Sequence, residues 1–281
     1  MSSSLSSAQA ARAAVAMRLQ SLMKDAGLSG HELAVRCGWH KSKSSRIARG
    51  VTPPSDADIR AWCAACGAED QVPDLIAAAR NAEGMYVEWR QLHKDGMRRV
   101  HERNVPLYQR TRLFRVYASN LVPGMTQTAG YATGLLTSIT EFQGTPNDVP
   151  EAVQARLSRS RVLYEGHHRF ALLLEEDVLH HRVCQDDAMR AQLRHLLTVM
   201  RRPNVSLGII PRRARRSVWP LEAFYAFDSA QVAVETLTAE INVTAPSEVH
   251  TYLRAFAELS KSAVYGDAAR SLIQEAVDAL G

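Results

Sequence analysis

Cysteine is sparse in this chain and long apolar runs are missing, and each shortage removes a class of protein. Four cysteines in 281 residues (Cys37, Cys63, Cys66 and Cys184) are too few for a disulfide-stapled secreted scaffold. Cys63 and Cys66 form a C-x-x-C, but no second pair follows at zinc-finger or zinc-ribbon spacing. Their i, i+3 spacing sets them on one helix face beside Ile59 and Trp62, where they read as small buried hydrophobes. No stretch approaches the about 20 apolar residues of a membrane span. The N-terminal "MSSSLSSAQAARAAVAMRLQ" is broken by Arg12 and Arg18 where a signal peptide would run uninterrupted, so a cytoplasmic chain is expected. A G-x-S-x-G elbow, a Walker-type loop and a G-x-G-x-x-G turn are also missing. The expectation is a protein that is not an enzyme and holds no cofactor.

One further absence is local. No acidic residue occurs from Leu33 to Ser55, while "GWHKSKSSRIARG" carries Lys41, Lys43, Arg46 and Arg49. A helix that only packs intersperses both signs on its wet face. The apolar fraction of 46% and charged fraction of 22% are those of a folded globular chain. Net charge is +5, and residues 1–70 hold nine Lys/Arg against six Asp/Glu. The excess is densest where the acid-free segment lies, which favours an anionic partner.

Periodicity and caps predict five helices in this region. The first runs from Gln9 to Asp25, with Val15, Leu19 and Leu22 on one face. Ser29 and Glu32 have capping-box spacing before a helix that turns Leu33 and Ala34 inward and stops at Gly38. The third spans Lys41 to Arg49 and stops at Gly50. Pro53-Pro54 then make a turn, and Ser55 caps a fourth helix ending near Gly67. A fifth runs from Val72 to Glu83 or beyond. Two short helices separated by a few residues around Gly38 have the spacing of a helix-turn-helix, whose second member enters the DNA major groove.

With those residues in place, 12–80 resemble the lambda-repressor-like (Xre, Cro/CI-type) DNA-binding domain, through "LSGHELAVRCGWHKSKSSRIARG", the Pro-containing turn and the amphipathic helix after it. The resemblance implies that Lys41, Ser42 and Arg46 reach base edges. It assigns His40, Lys43, Ser45 and Arg49 to the flanking backbone, and Ser29 and Gly30 to a phosphate at the start of the preceding helix. Two positions depart from the pattern. Gly30 stands where a Gln is usual, and Ala48 where Glu is frequent. The implied partner is double-stranded DNA read by a homodimer, since two recognition helices must reach half-sites about one helical turn apart.

Residues 83–115 are strongly basic and read as a helical connector between a 9–82 helix-turn-helix domain and a 116–281 C-terminal domain. In the latter, Pro123-Gly124 turn, Thr126 or Thr128 caps a helix through Leu136, and "DVPEAVQARLSRSRVLYEG" is an amphipathic helix. "RFALLLEED" and "NVSLGIIP" read as buried strands, "AFYAFDS", "VAVETLT" and "INVTAP" as shorter ones, and 186–201, 247–264 and 267–280 as helices. The fold class expected is an all-α five-helix helix-turn-helix domain followed by an α+β domain with a small, mostly antiparallel sheet. The blocks "LVPGMTQTAGYA", "VQARLSRSRVL", "LLLEEDVL", "MRAQLRHLL", "RPNVSLGIIP" and "VAVETLT" resemble, in order, the C-terminal domain of actinobacterial Xre-type regulators, some antitoxin-like or developmental. That resemblance implies a nucleoid-associated regulator whose C-terminal domain dimerises and receives a small-molecule effector or a small partner protein. The alternative it carries is the DNA-binding half of a toxin–antitoxin-type pair. "PRRARRSVW" departs from it, and Arg212, Arg213, Arg215 and Arg216 read as a solvated loop or a contact to DNA flanks or an acidic partner. Glu176 and His180, four apart beside Glu175, Asp177 and His181, read as a polar surface cluster rather than a metal site. Glu235 interrupts an apolar strand, facing either solvent or a pocket.

Overall fold

Two capping boxes and a set of left-handed glycines cut the N-terminal sequence into helices. In the computed structural model, which describes residues 7–80, 86–94 and 96–280, these are α1 (Ser7–Asp25), α2 (Gly30–Arg36), α3 (Lys41–Ala48), α4 (Asp56–Cys66) and α5 (Val72–Arg80). A 3-10 turn, Glu69–Gln71, leads into α5. Residues 81–83, where the fifth helix was expected to continue, lie outside the described residues. Ser29 and Ser55 each accept from the amide three residues on, while the carboxylates of Glu32 and Asp58 accept from the cap amides. Gly38 and Gly50, both at φ 67°, close α2 and α3 in a conformation that side chains with a Cβ rarely adopt. Leu19, Leu33, Ile47, Ile59 and Trp62 fill the interior with at most 1% exposure, and Trp62 Nε1 donates to the Leu19 carbonyl at 2.9 Å. Cys63 is buried in the same cluster.

Contacts divide the chain into residues 1–87 with 241–249, and residues 88–240 with 250–281. The expected basic helical connector contains a short strand, β1 (Tyr86–Glu88), and the helices α6 (Trp89–Leu92), α7 (Arg98–Arg103) and α8 (Val105–Arg110). The expected boundary after residue 115 falls inside the next strand, β2 (Leu113–Ala118). The C-terminal part continues through α9 (Ala129–Gln143), α10 (Val149–Arg159), β3 (Arg169–Glu175), α11 (Asp186–Val199), β4 (Val205–Ile210), β5 (Phe224–Phe227), β6 (Gln231–Glu235), β7 (Ala239–Val243), α12 (Pro246–Ser260) and α13 (Gly266–Asp278). Thr128, not Thr126, caps α9, accepting from the Tyr131 amide.

Six of the strands form a mixed sheet in the order β7-β6-β5-β2-β3-β4, with β1 added beyond β7. The sheet is therefore larger than the small, mostly antiparallel one expected. β2, β3 and β4 run parallel, joined by crossovers through α9–α10 and α11, and the antiparallel pairs β2–β5 and β5–β6 extend the other side. The parallel limb was hidden because β2 is central. Phe114, Val116, Tyr117 and Ala118 are all buried, so the strand shows no clean polar alternation, and its flanking arginines mimic the basic connector. Phe114 stacks on Phe170 of β3 at 4.8 Å between centroids and meets Phe227 of β5 edge-on at 5.8 Å.

Candidate nucleic-acid interface

The geometry of the basic helix begins with Ser44, which the sequence reading passed over. It is 2% exposed and its hydroxyl donates to the carbonyls of Gly30 at 3.3 Å and Lys41 at 3.0 Å. Together with the packing of Ile47 against Leu33, this ties α3 to the start of α2. With Ser44 and Ile47 turned inward, Ser42, Ser45, Arg46 and Arg49 are exposed at i, i+3, i+4 and i+7, a single stripe along the outer face of α3. Lys41 stands exposed at the head of that stripe. Among the described residues, Lys41 and Arg46 make no ion pair. These are two of the three residues assigned to base edges.

The third, Ser42, is coupled to the helix cap. His40 is the N-cap of α3, its Nδ1 accepting from the Ser42 amide at 3.3 Å and lying 2.8 Å from the Ser42 hydroxyl. An accepting Nδ1 leaves Nε2 as the donor of the neutral ring, the nitrogen available to a phosphate. Arg49 Nε donates to the Ser45 carbonyl at 3.2 Å, which orients the guanidinium along the helix end.

Two of the expected phosphate contacts are committed to the fold. Ser29 spends its hydroxyl on the Glu32 amide at 3.2 Å, and its own amide donates to Glu32 Oε2 at 2.8 Å. Those hydrogen bonds from Ser29 hold the Glu32 carboxyl below its ordinary range. Gly30 opens α2, with open space where a side chain would stand. Lys43 turns off the stripe, its Nζ 2.5 Å from Asp58 Oδ1 on α4 and 4.5 Å from the centre of the Trp39 ring. Burial works to raise the Asp58 carboxyl, but hydrogen bonds from Lys43 and Ser55 and the Lys43 charge outweigh it and hold the group low. Trp39 and Asp58 were missed as members of this cluster, although the S-x-x-D spacing of Ser55 and Asp58 marks a carboxylate fixed at the start of α4.

The arginine loop after β4 is half consumed internally. Arg216 makes a two-pronged pair with buried Glu175, which also accepts from the Tyr117 hydroxyl at 2.7 Å. The Arg212 amide donates to Glu176 at 2.8 Å and its Nε to Asp177 at 2.6 Å. The three acids of "LLLEED" thus neutralise two arginines, and Glu176 faces Arg212. Arg213 and Arg215 are exposed. Among the described residues no three His, Cys, Asp or Glu converge as a metal would require.

A helix-turn-helix domain model matches residues 14–76, the span that holds α2 and α3. A second, described as Domain of unknown function (DUF5753), matches residues 105–275. No curated protein matches. One solved structure, described as that of TrmBL2, an archaeal chromatin protein, showing a novel mode of DNA binding, is similar over 85% of this chain and 88% of its own, at 12% identity and a TM-score of 0.32. No helix among the described residues is long and apolar enough to cross a membrane.

Proposed function

Since the chain belongs to the DUF5753 family and carries a helix-turn-helix domain on its N-terminal side, we propose that it is a sequence-specific transcription regulator of the lambda-repressor-like (Xre) type. It acts as a homodimer on inverted repeats and uses its C-terminal domain to dimerise and to receive a signal from a small molecule or a small partner protein. It does no catalysis. The reading rests above all on the stripe Ser42, Ser45, Arg46, Arg49 with Lys41 at its head, exposed on a helix whose opposite face is locked by Ser44 and Ile47. Arg46 offers a fork for guanine O6 and N7, Lys41 a second donor, and Ser42 a small hydroxyl tolerant of several bases. His40 and Arg49 flank them as phosphate ligands, which set register without reading sequence.

Genome-wide occupancy of the tagged protein by chromatin immunoprecipitation tests this. Peaks confined to a few inverted repeats with half-sites about 34–36 Å apart support the reading. A uniform profile, with no recovered motif and no change in Arg46→Ala, would sink it.

A further inference from the structure

Behind β6 and β7, the C-terminal part encloses a cleft of about 470 Å³ that continues into a smaller recess of about 110 Å³. The two share Arg156, Arg159 and Glu235 in their walls. Together they fall in the size range of small-molecule sites, about 300–1,000 Å³. Four buried nitrogens in their walls have no partner among the described residues. Among the described residues, the buried Nε atoms of both Arg156 and Arg159 donate to nothing, and His101, only 6% exposed, has both ring nitrogens unpaired. Buried polar groups in a folded chain are ordinarily satisfied, so a cluster of unsatisfied donors in one cleft marks a place where a ligand supplies the acceptors.

The charges in the walls give the ligand its sign. Arg103 is paired with Glu240 at 3.4 Å, which leaves Arg156 and Arg159 against one carboxylate, Glu235. Glu235 ends β6 on a residue open to solvent; desolvation in the cleft wall raises its carboxyl, and Arg156 opposes that. Burial, then the neighbouring Arg156 and Arg159, push the His101 imidazole down, which keeps it neutral. Three arginines (Arg103, Arg156, Arg159) stand against two carboxylates (Glu235, Glu240), so the walls are net positive even with Glu235 ionised. Leu136, Ile139 and Val100 supply an apolar wall.

The cationic side is also held in place before any ligand arrives. Arg156 Nη1 donates to Gln127 at 2.6 Å, and Gln127 Nε2 to the Val122 carbonyl at 2.8 Å. The Tyr225 hydroxyl accepts from the Gly124 amide at 3.0 Å, and Gln192 bridges the Thr126 carbonyl and the Thr128 amide at 2.8 and 2.7 Å. A guanidinium fixed by such a chain loses little entropy on binding. Arg159 lies 4.5 Å over the Tyr108 ring, another restraint that does not use its donors.

We infer that this cleft binds a small amphipathic acid, its carboxylate or phosphate head on Arg156 and Arg159 and its apolar body along Leu136 and Ile139. The inference deepens the signal-input part of the proposed function by naming the class of signal.

Isothermal titration of the full chain with octanoate and octyl phosphate, and with 1-octanol and octylammonium as matched neutral and cationic probes, tests it without DNA. One anion should bind saturably at one per chain, and the alcohol and the amine about tenfold or more weakly. Arg156→Met and Arg159→Met should each lower the anion affinity about tenfold or more, while Arg213→Ala, outside the cleft, should leave it unchanged. Preference between the two anions distinguishes a carboxylic acid from a phosphate ester. Should Arg156→Met fail to fold for want of its bond to Gln127, Arg159→Met carries the comparison alone. Equal binding of alcohol and anion, no saturable binding of either anion at millimolar concentration, or an unchanged affinity in Arg159→Met would overturn the inference. DNA occupancy is a separate measurement, so failure here leaves the regulator reading standing, and failure there leaves the cleft.

Discussion

Lys43 is held 2.5 Å from Asp58 across the gap between α3 and α4, with its ammonium over the Trp39 ring, so the basic helix gives one of its charges to the fold. Lys43 therefore differs from Arg49, which is exposed and has no carboxylate partner among the described residues. Lys43→Ala should cost about 1 kcal/mol of stability, the sum of a half-exposed ion pair and a cation–π contact. It should change the salt slope of DNA binding little, whereas Arg49→Ala should lower it by about one. Urea melts and fluorescence anisotropy across a salt series separate the two. The stability gap has a pH signature as well. Asp58 is depressed in the folded chain, so its contribution is full above its ordinary value of 3.8 and fades as pH falls through the lowered one. The difference between wild type and Lys43→Ala should close in that acid window.

Arg46 is the test of base reading. It is exposed in mid-stripe and forms no ion pair among the described residues, so its removal leaves the domain's stability within about 0.5 kcal/mol. Binding should fall by about 1–3 kcal/mol, with preference relaxed at one base pair and kept at the others. Selection from a randomised site library with wild type and Arg46→Ala reads this directly. A uniform loss across all positions would make Arg46 a phosphate ligand instead.

Much of the N-terminal part was legible because its signals are local. Ser29 with Glu32, the Gly38 and Gly50 stops and the apolar period of α1 each act within one turn of helix. The role of Lys43 was not legible, because its partner Asp58 lies in the next helix and sequence spacing carries no information about that contact. The same limit hid β2. A central strand buried on both faces lacks the alternation that identifies an edge strand, and its parallel partner β3 is more than fifty residues away in sequence. The arginine loop looked free for a similar reason, since the acids that neutralise Arg212 and Arg216 sit at the end of β3 and in the turn after it, more than thirty residues away in sequence.

Arg216 and Arg213 should accordingly behave in opposite ways. Removing Arg216 leaves Glu175, 6% exposed, with the Tyr117 hydroxyl as its remaining donor. A buried carboxylate stripped of its cation costs about 3 kcal/mol, the low end for such pairs because the Arg216 side chain is 20% exposed. Arg213→Ala should shift stability by less than about 0.5 kcal/mol. Chemical denaturation of the two single variants checks the contrast. If Arg216→Ala melts with the wild type, the loop is solvated throughout and Glu175 is satisfied without it.

Glu235 gives a prediction with the opposite sign. The residue is open to solvent at the end of β6, yet desolvation in the cleft wall and then Glu240 raise its carboxyl, with Arg156 pulling the other way. A raised acid binds its proton more tightly when folded, so its contribution is favourable below the unfolded value and is lost as pH rises through the folded one. Glu235→Gln keeps the shape and removes that penalty. The variant should melt with the wild type near pH 4 and above it at neutral pH. The gain should be small, about 2 °C, because solvent in the cleft screens the charge. Differential scanning calorimetry at the two pH values measures it. A gap of the reverse sign at neutral pH would mean that Glu235 is ionised and held by Arg156, and the positive charge of the cleft would then rest on Arg159.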